Sequence, residues 1–179
     1  MPGKALVVID MQNDFISGVL GSDAAKATVP VIAGKIREFN ESGYPVIATR
    51  DMHPKSYLED IEGQRVPAHC MRGDRGSEIT SEFSSYHFTA IIDKNNFMAS
   101  PEEQNKIRKA IYESLGGDPD EIEICGLCAD ICVVSNALML RMLFPDAVIK
   151  AERRATAGTT EENTEAAFRV MRSCLIDII

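Results

Sequence analysis

Tryptophan is absent from this 179-residue chain, histidine occurs only three times, and aromatic side chains make up 6% of it. No apolar run approaches the roughly 18 residues that a bilayer-spanning helix needs. Positive charge is also scarce: the formal net charge of -8 excludes the electropositive footprint that nucleic acid or an anionic membrane selects. Met1-Pro2-Gly3-Lys4 leads straight into a strand-like run, so neither a signal peptide nor a transit segment is expected. Five cysteines, an odd number, suit reduced thiols in a cytoplasmic protein better than a disulfide framework. No repeat or low-complexity segment is visible. One soluble domain over residues 1–179 is expected, long enough to bury a substantial core.

What is present alternates between two periodicities. Ala5-Leu-Val-Val-Ile9 reads as a strand covered on both faces. Thr28 to Asn40 reads as a helix with Pro30 in its first turn and Ile32, Ile36 and Phe39 on its apolar face. Pro45–Thr49 is a second strand and Phe88–Ile92 a third, separated by a poorly periodic stretch from Pro54 to Ser85. Ser100-Pro-Glu-Glu103 predicts a capping box for a helix that stops at Gly116-Gly117. Ile122 and Ile124 belong to a fourth strand. It turns into a helix whose apolar positions are Ile131, Val134 and Leu138, with Asp130 as its N-cap. Ala147–Ile149 is a short strand, Thr159-x-x-Glu162 opens a last helix, and Leu175–Ile179 is the final strand. This order predicts a three-layer α/β/α fold around a mostly parallel, Rossmann-like sheet of about six strands, with an insertion at about 51–86.

Ligands of open α/β sheets bind outside the carboxyl ends of the strands. Asp10, Asp51, Lys94 and Cys132 all fall at those ends. Asp10, partly desolvated after an apolar strand, suits a general base. Cys132 in a first helical turn gains from the free N–H groups and positive dipole end there. Lys94 can hold the carboxylate and favour the thiolate, so that Cys132 attacks a carbonyl and Asp10 passes the thiol proton to the leaving group.

Asp51 and His53, at i and i+2, share one face of an extended segment, and His69 arrives from the long loop. Asp/His/His suits a catalytic zinc, iron or manganese. Glu59 and Glu62 are further ligand candidates that spacing does not rank. Cys125-x-x-Cys128 matches a redox motif and suggests a competing, non-enzymatic sensing module. Cys128 precedes the helix rather than starting it, so small packed residues are the preferred reading, with Cys128 supplying a backbone N–H.

The motifs VVIDMQNDF (Asp10, Asp14, Phe15), TRDMHP (Asp51, His53), VPAHCMRG (His69, Cys70), IDKNNF (Lys94, Phe97) and ICGLCADICV (Cys132) together resemble the isochorismatase-like cysteine hydrolases, and among them the nicotinamidases. That resemblance implies an Asp10–Lys94–Cys132 triad, a thioester intermediate and a non-proline cis peptide at Leu127-Cys128. The amides of Cys128 and Cys132 would then face an oxyanion. It also implies a divalent metal, zinc first and iron or manganese as alternatives, held by Asp51, His53 and His69. The implied substrate is a small amide such as nicotinamide, and the assembly a homo-oligomer. Phe15, Val66 and Phe97 are the expected substrate walls. Val66 stands where such enzymes usually carry an aromatic residue, which implies a wider pocket and a second reading, hydrolysis of another small amide.

Overall fold

Strand β1 (Lys4–Ile9) sits in the middle of the sheet, and every side chain from Ala5 to Ile9 is buried. The structure is a computed structural model that describes residues 3–179; Met1 and Pro2, part of the expected lead into β1, lie outside the described residues. Around β1 are β2 (Val46–Asp51), β3 (Ala90–Lys94), β4 (Glu121–Leu127), β5 (Val148–Ala157) and β6 (Ile176–Ile178). The spatial order is 3-2-1-4-5-6 and every pair is parallel. This is the Rossmann order, whose direction reverses between β1 and β4.

Alternation along β1 divides the core in two. Ala5, Val7 and Ile9 join one cluster with Ile107 and Ile111 of α3 (Pro101–Leu115), Leu140 of α4 (Val134–Leu143) and Phe168 of α5 (Glu161–Ser173). Leu6 and Val8 face the other way, onto Phe15 of α1 (Asn13–Ile16) and Ile32, Ile36 and Phe39 of α2 (Asp23–Glu41). Period-2 residues feeding helices on both faces produce the three layers. The capping box of α3 forms as expected: Ser100 Oγ accepts from Glu103 N, and Glu103 returns a carboxylate oxygen to Ser100 N at 2.6 Å.

Several boundaries differ from the sequence reading. Helix α2 starts at Asp23, not Thr28, because Ser22 caps it by accepting from Ala25 N at 3.0 Å. Good helix formers then carry it through Pro30, which lies inside the helix and not in its first turn. Strand β3 lies two residues later than expected, so Lys94 ends the strand and pairs with Asp51 in register. Strand β5 continues to Ala157 through the polar Glu152-Arg-Arg154, where its register against β4 shifts; such an irregularity leaves no apolar alternation to read. Helix α5 is capped by Thr160, which accepts from Asn163 N, one residue beyond the expected Thr159. The long segment between β2 and β3 contains only short 3₁₀ turns at Lys55–Glu59, Arg75–Ser77 and Ser81–Phe83. Among the described residues no helix is long and apolar enough to cross a membrane.

Candidate active site

The crevice at the β1/β4 reversal collects the residues that end the strands. Asp10 follows β1 with a positive φ of 49°. Its carboxylate accepts from Thr49 Oγ1 at 2.6 Å. Lys94 Nζ stands 2.7 Å from Asp10 Oδ2, 3.7 Å from Asp51 Oδ1 and 3.8 Å from Cys132 Sγ. One ammonium thus touches a carboxylate, a thiol and an edge of a second acidic cluster, with all four residues buried. Gly126, at φ 123°, allows the approach of β4 to β1: any Cβ there would run into the Ile9 carbonyl.

The turn that carries Cys132 departs from one expectation. The Leu127-Cys128 peptide is cis, in agreement with the resemblance. Asp130, however, is not the N-cap. A π-helical turn over Ala129–Val133 puts the cap two residues earlier, at Cys128, and Ile131 N and Val133 N both donate to the Cys128 carbonyl. Asp130 instead accepts from Thr159 N at 2.9 Å and Thr159 Oγ1 at 2.5 Å, tying the turn to the end of β5. Cys132 remains in the first turn.

Burial governs the resting charges. It pushes the Cys132 thiol well above its ordinary range, opposed by Lys94 and reinforced by Asp10. It also raises the Asp10 carboxyl, against the lowering effect of Lys94. Lys94 itself is penalised by burial, but Asp10, Cys132 and Asp51 hold its proton firmly. A neutral thiol beside a hydrogen-bond-accepting carboxylate and a fixed cation has the groups that a nucleophile losing its proton as it attacks would need.

Next to this cluster, Asp51, His53, Glu62 and His69 bring one ligand atom each to within 4.8 Å of the others. Asp51 Oδ2 is 3.2 Å from His53 Nε2 and 3.7 Å from His69 Nε2, while Glu62 Oε1 is 3.8 and 3.9 Å from those two nitrogens. Ligand atoms bound at about 2.0–2.2 Å around a tetrahedral ion stand about 3.3–3.6 Å apart, close to these separations. His53 Nε2 is buried and has no hydrogen-bond partner, which suits a ligand for a cation, whereas the unpartnered Asp51 Oδ1 is the oxygen that faces Lys94. His69 Nδ1 lies 2.9 Å from the Pro67 carbonyl; that oxygen can only accept, so Nε2 is left with the lone pair facing the cluster. For Asp51, the burial penalty is outweighed by His53, His69 and Lys94, which hold its carboxyl below the usual range. Glu62 thus joins the cluster, whereas Glu59 is exposed and outside it.

Phe15, Val66 and Phe97 line a small cavity of about 60 Å³ together with Cys132, His69, Asp51 and Glu62. Ile131 and Cys128 complete its wall. Phe15 packs edge-on to His69, with centroids 5.3 Å apart. Glu62, Val66 and Phe97 also border a wider bowl of about 620 Å³ outside. Cys125, by contrast, is wholly buried, with its thiol pushed up to about 12 by burial, and takes no part in this site.

Some contributors were not legible as site residues. Gln12 grips Asp51 as a strand would: its Oε1 accepts from Asp51 N at 2.7 Å and its Nε2 donates to Asp51 O at 2.7 Å. Tyr57 lays its ring 4.0 Å from that of His53, with its hydroxyl 3.4 Å from Glu62 and from His69 Nδ1. A glutamine directly after a buried strand was the available signal for the first; nothing in the loop singled out Tyr57.

Residues 4–179 match the Isochorismatase domain, and the chain belongs to that family. The nicotinamidase of Schizosaccharomyces pombe is 25% identical, over 98% of this chain and 92% of its own length. The nicotinamidase/pyrazinamidase of Mycobacterium tuberculosis is 23% identical, over 98% of each. Among solved structures, the pyrazinamidase of Pyrococcus horikoshii in complex with zinc superposes with a TM-score of 0.81 at 29% identity, covering 99% of both chains.

Proposed function

We propose that this amidohydrolase converts nicotinamide to nicotinate and ammonia through a thioester on Cys132, with a divalent metal, zinc first, in the neighbouring cluster. The observation that carries the reading is one buried ammonium, that of Lys94, 2.7 Å from Asp10 and 3.8 Å from Cys132, beside a four-ligand cluster in which His53 Nε2 has no hydrogen-bond partner. Its relatives in S. pombe and M. tuberculosis, named for nicotinamide and pyrazinamide hydrolysis, support the same chemistry.

In this reading Cys132 Sγ attacks the carboxamide carbon while its proton passes to Asp10. Lys94 stabilises the sulfur as it gains charge. The carbonyl oxygen becomes an oxyanion facing the backbone N–H groups of Cys128 and Cys132. Collapse breaks the C–N bond, and Asp10 returns the proton to the departing nitrogen, releasing ammonia. Water then gives a proton to Asp10 and attacks the thioester carbon; breaking the C–S bond frees the acid and restores the thiol. Phe15, Val66 and Phe97 would hold the ring. A metal bound by Asp51, His53, His69 and Glu62 would supply a Lewis-acidic point for a ring nitrogen.

Ammonia release from nicotinamide by zinc-loaded protein tests the assignment: Cys132→Ala should abolish it and His53→Ala should reduce it severely. No release by the unaltered, loaded protein would sink the substrate assignment. Val66, smaller than an aromatic wall, favours a second reading in which another small amide is preferred. A panel of amides ranked by kcat/KM separates the two.

A further inference from the structure

The segment from Asn95 to Ala99, between β3 and α3, has no regular structure, yet it carries Phe97 into the wall of the cavity over Cys132. Side chains from two helices hold it. Asn136 of α4 is completely buried. Its Nδ2 donates to the Phe97 carbonyl at 2.9 Å and to the carbonyl of Cys132 at 2.7 Å, while its Oδ1 accepts from Ala99 N at 3.1 Å. Gln104 Nε2 donates to the Ala99 carbonyl at 2.8 Å and completes the attachment.

The two donations of Asn136 run to the residue that bears the thiol and to the residue that forms the opposite wall. An amide is rigid, and using both its hydrogens fixes the separation of the two carbonyls. Phe97 has no comparable restraint of its own: the residue is 43% exposed and borders both the inner cavity and the outer bowl. We infer that Asn136 is a positioning residue that sets the width of the substrate slot by tying the Phe97 wall to the backbone of the nucleophile. It does not touch substrate and moves no proton. Neutral, buried and fully engaged through three hydrogen bonds, it adds no charge that would alter the thiol. Its effect is on which groups can enter beside the sulfur. The inference rests on Cys132 being the nucleophile of the proposed reaction but not on nicotinamide being its substrate.

The test needs no turnover. Zinc-loaded protein is alkylated with iodoacetamide, a small probe, and N-ethylmaleimide, a bulkier ring, and the rate at Cys132 is read by mass spectrometry for each. In Asn136→Ala the ratio of bulky to small rates should rise about tenfold, the scale of one or two lost buried hydrogen bonds, with the small-probe rate changed less than about threefold. Asn136→Ser provides a milder second variant should the first fold poorly. Phe97→Ala alone should raise the same ratio, and adding Asn136→Ala to it should have no further effect, because the wall is already gone. Equal changes in both rates, or full additivity in the Phe97→Ala background, would overturn the inference. With a hydrolysed amide in hand, KM for single-ring amides should rise in Asn136→Ala while kcat holds. Failure to hydrolyse nicotinamide together with a shifted alkylation ratio would remove the substrate assignment and leave this inference standing.

Discussion

Replacing Lys94 with methionine isolates the ion pair at the centre of the site. Lys94 and Asp10 are 1% and 0% exposed, and their charged atoms are 2.7 Å apart. Methionine fills much of the lysine volume but leaves Asp10 with only neutral donors to its carboxylate, the Thr49 hydroxyl and the Cys132 thiol. Removing one partner of a buried pair costs about 3–5 kcal/mol, because the remaining charge is neither solvated nor matched. For a chain of this length that corresponds to a fall in Tm of about 6–20 °C at neutral pH. The loss should depend on pH in a definite direction. Burial already raises the Asp10 carboxyl, and without the opposing ammonium it rises further. An acid with a folded-state pKa above its unfolded value binds more protons when folded, so the variant loses stability relative to the parent as pH rises from the parent's raised pKa to the variant's still higher one, by at most about 1.4 kcal/mol per unit. Urea denaturation of both proteins at pH 5, 6, 7 and 8 measures the gap, which should widen with pH and then level off. Adding Asp10→Asn to Lys94→Met removes the stranded charge and should recover most of the loss. A gap that is absent at pH 7, or constant from pH 5 to 8, would refute the buried-pair reasoning.

Four further outcomes follow from the same geometry. Chelation should lower Tm by about 5–11 °C relative to protein in zinc at 100 times its Kd, a stabilisation of about 2.7 kcal/mol, and zinc should restore it; unchanged melting would argue against a metal at Asp51, His53, Glu62 and His69. Glu62→Gln should weaken zinc binding by calorimetry by more than the about 10–100-fold typical of an outer-sphere partner, whereas Glu59→Gln should leave it within about twofold. The kcat/KM for an amide should fall as pH drops through the raised pKa of Asp10, since the protonated acid cannot take the thiol proton; a plateau maintained to pH 4 would contradict the base role. Val66→Phe should narrow the slot and improve kcat/KM for single-ring amides over bulkier ones, measured on a matched pair of substrates.

Much of this arrangement was readable because it depends on strand ends. The run ending at Ile9, the register-setting apolar residues of β4 and the Rossmann order require Asp10, Lys94 and Cys132 to converge, whatever their sequence separation. Local signals failed where a tertiary contact replaced the expected one. Asp130 has the chemistry of an N-cap, but Thr159 offers it two donors, so it bridges to β5 instead. Thr28 resembled a helix start before Pro30, but its hydroxyl donates back to the Ala25 carbonyl inside a helix already begun at Asp23. The choice between Glu59 and Glu62 depended on the path of an irregular segment, which no periodicity encodes.

That segment is anchored from outside by the residues that follow β1. Asp14, just after β1, accepts from Cys70 N at 2.8 Å, next in sequence to His69, and a Cβ at Gly76 would run into the same carboxylate. Gln12 clamps the Asp51 backbone and also donates to Ser77 O at 2.8 Å. The isolated pairing of Gln12 with Ile79 adds a third attachment. The stretch MQNDF therefore holds the acidic cluster in place, while Asp10 immediately before it serves the thiol. Lys94 closes the connection from the other side, 2.7 Å from Asp10 and 3.7 Å from Asp51. The thiol cluster and the ligand cluster are consequently joined through one network of hydrogen bonds and charged contacts. For a reaction in which one end of a small ring must be held while the other meets a sulfur, that shared framework supplies the fixed distance that proximity catalysis needs.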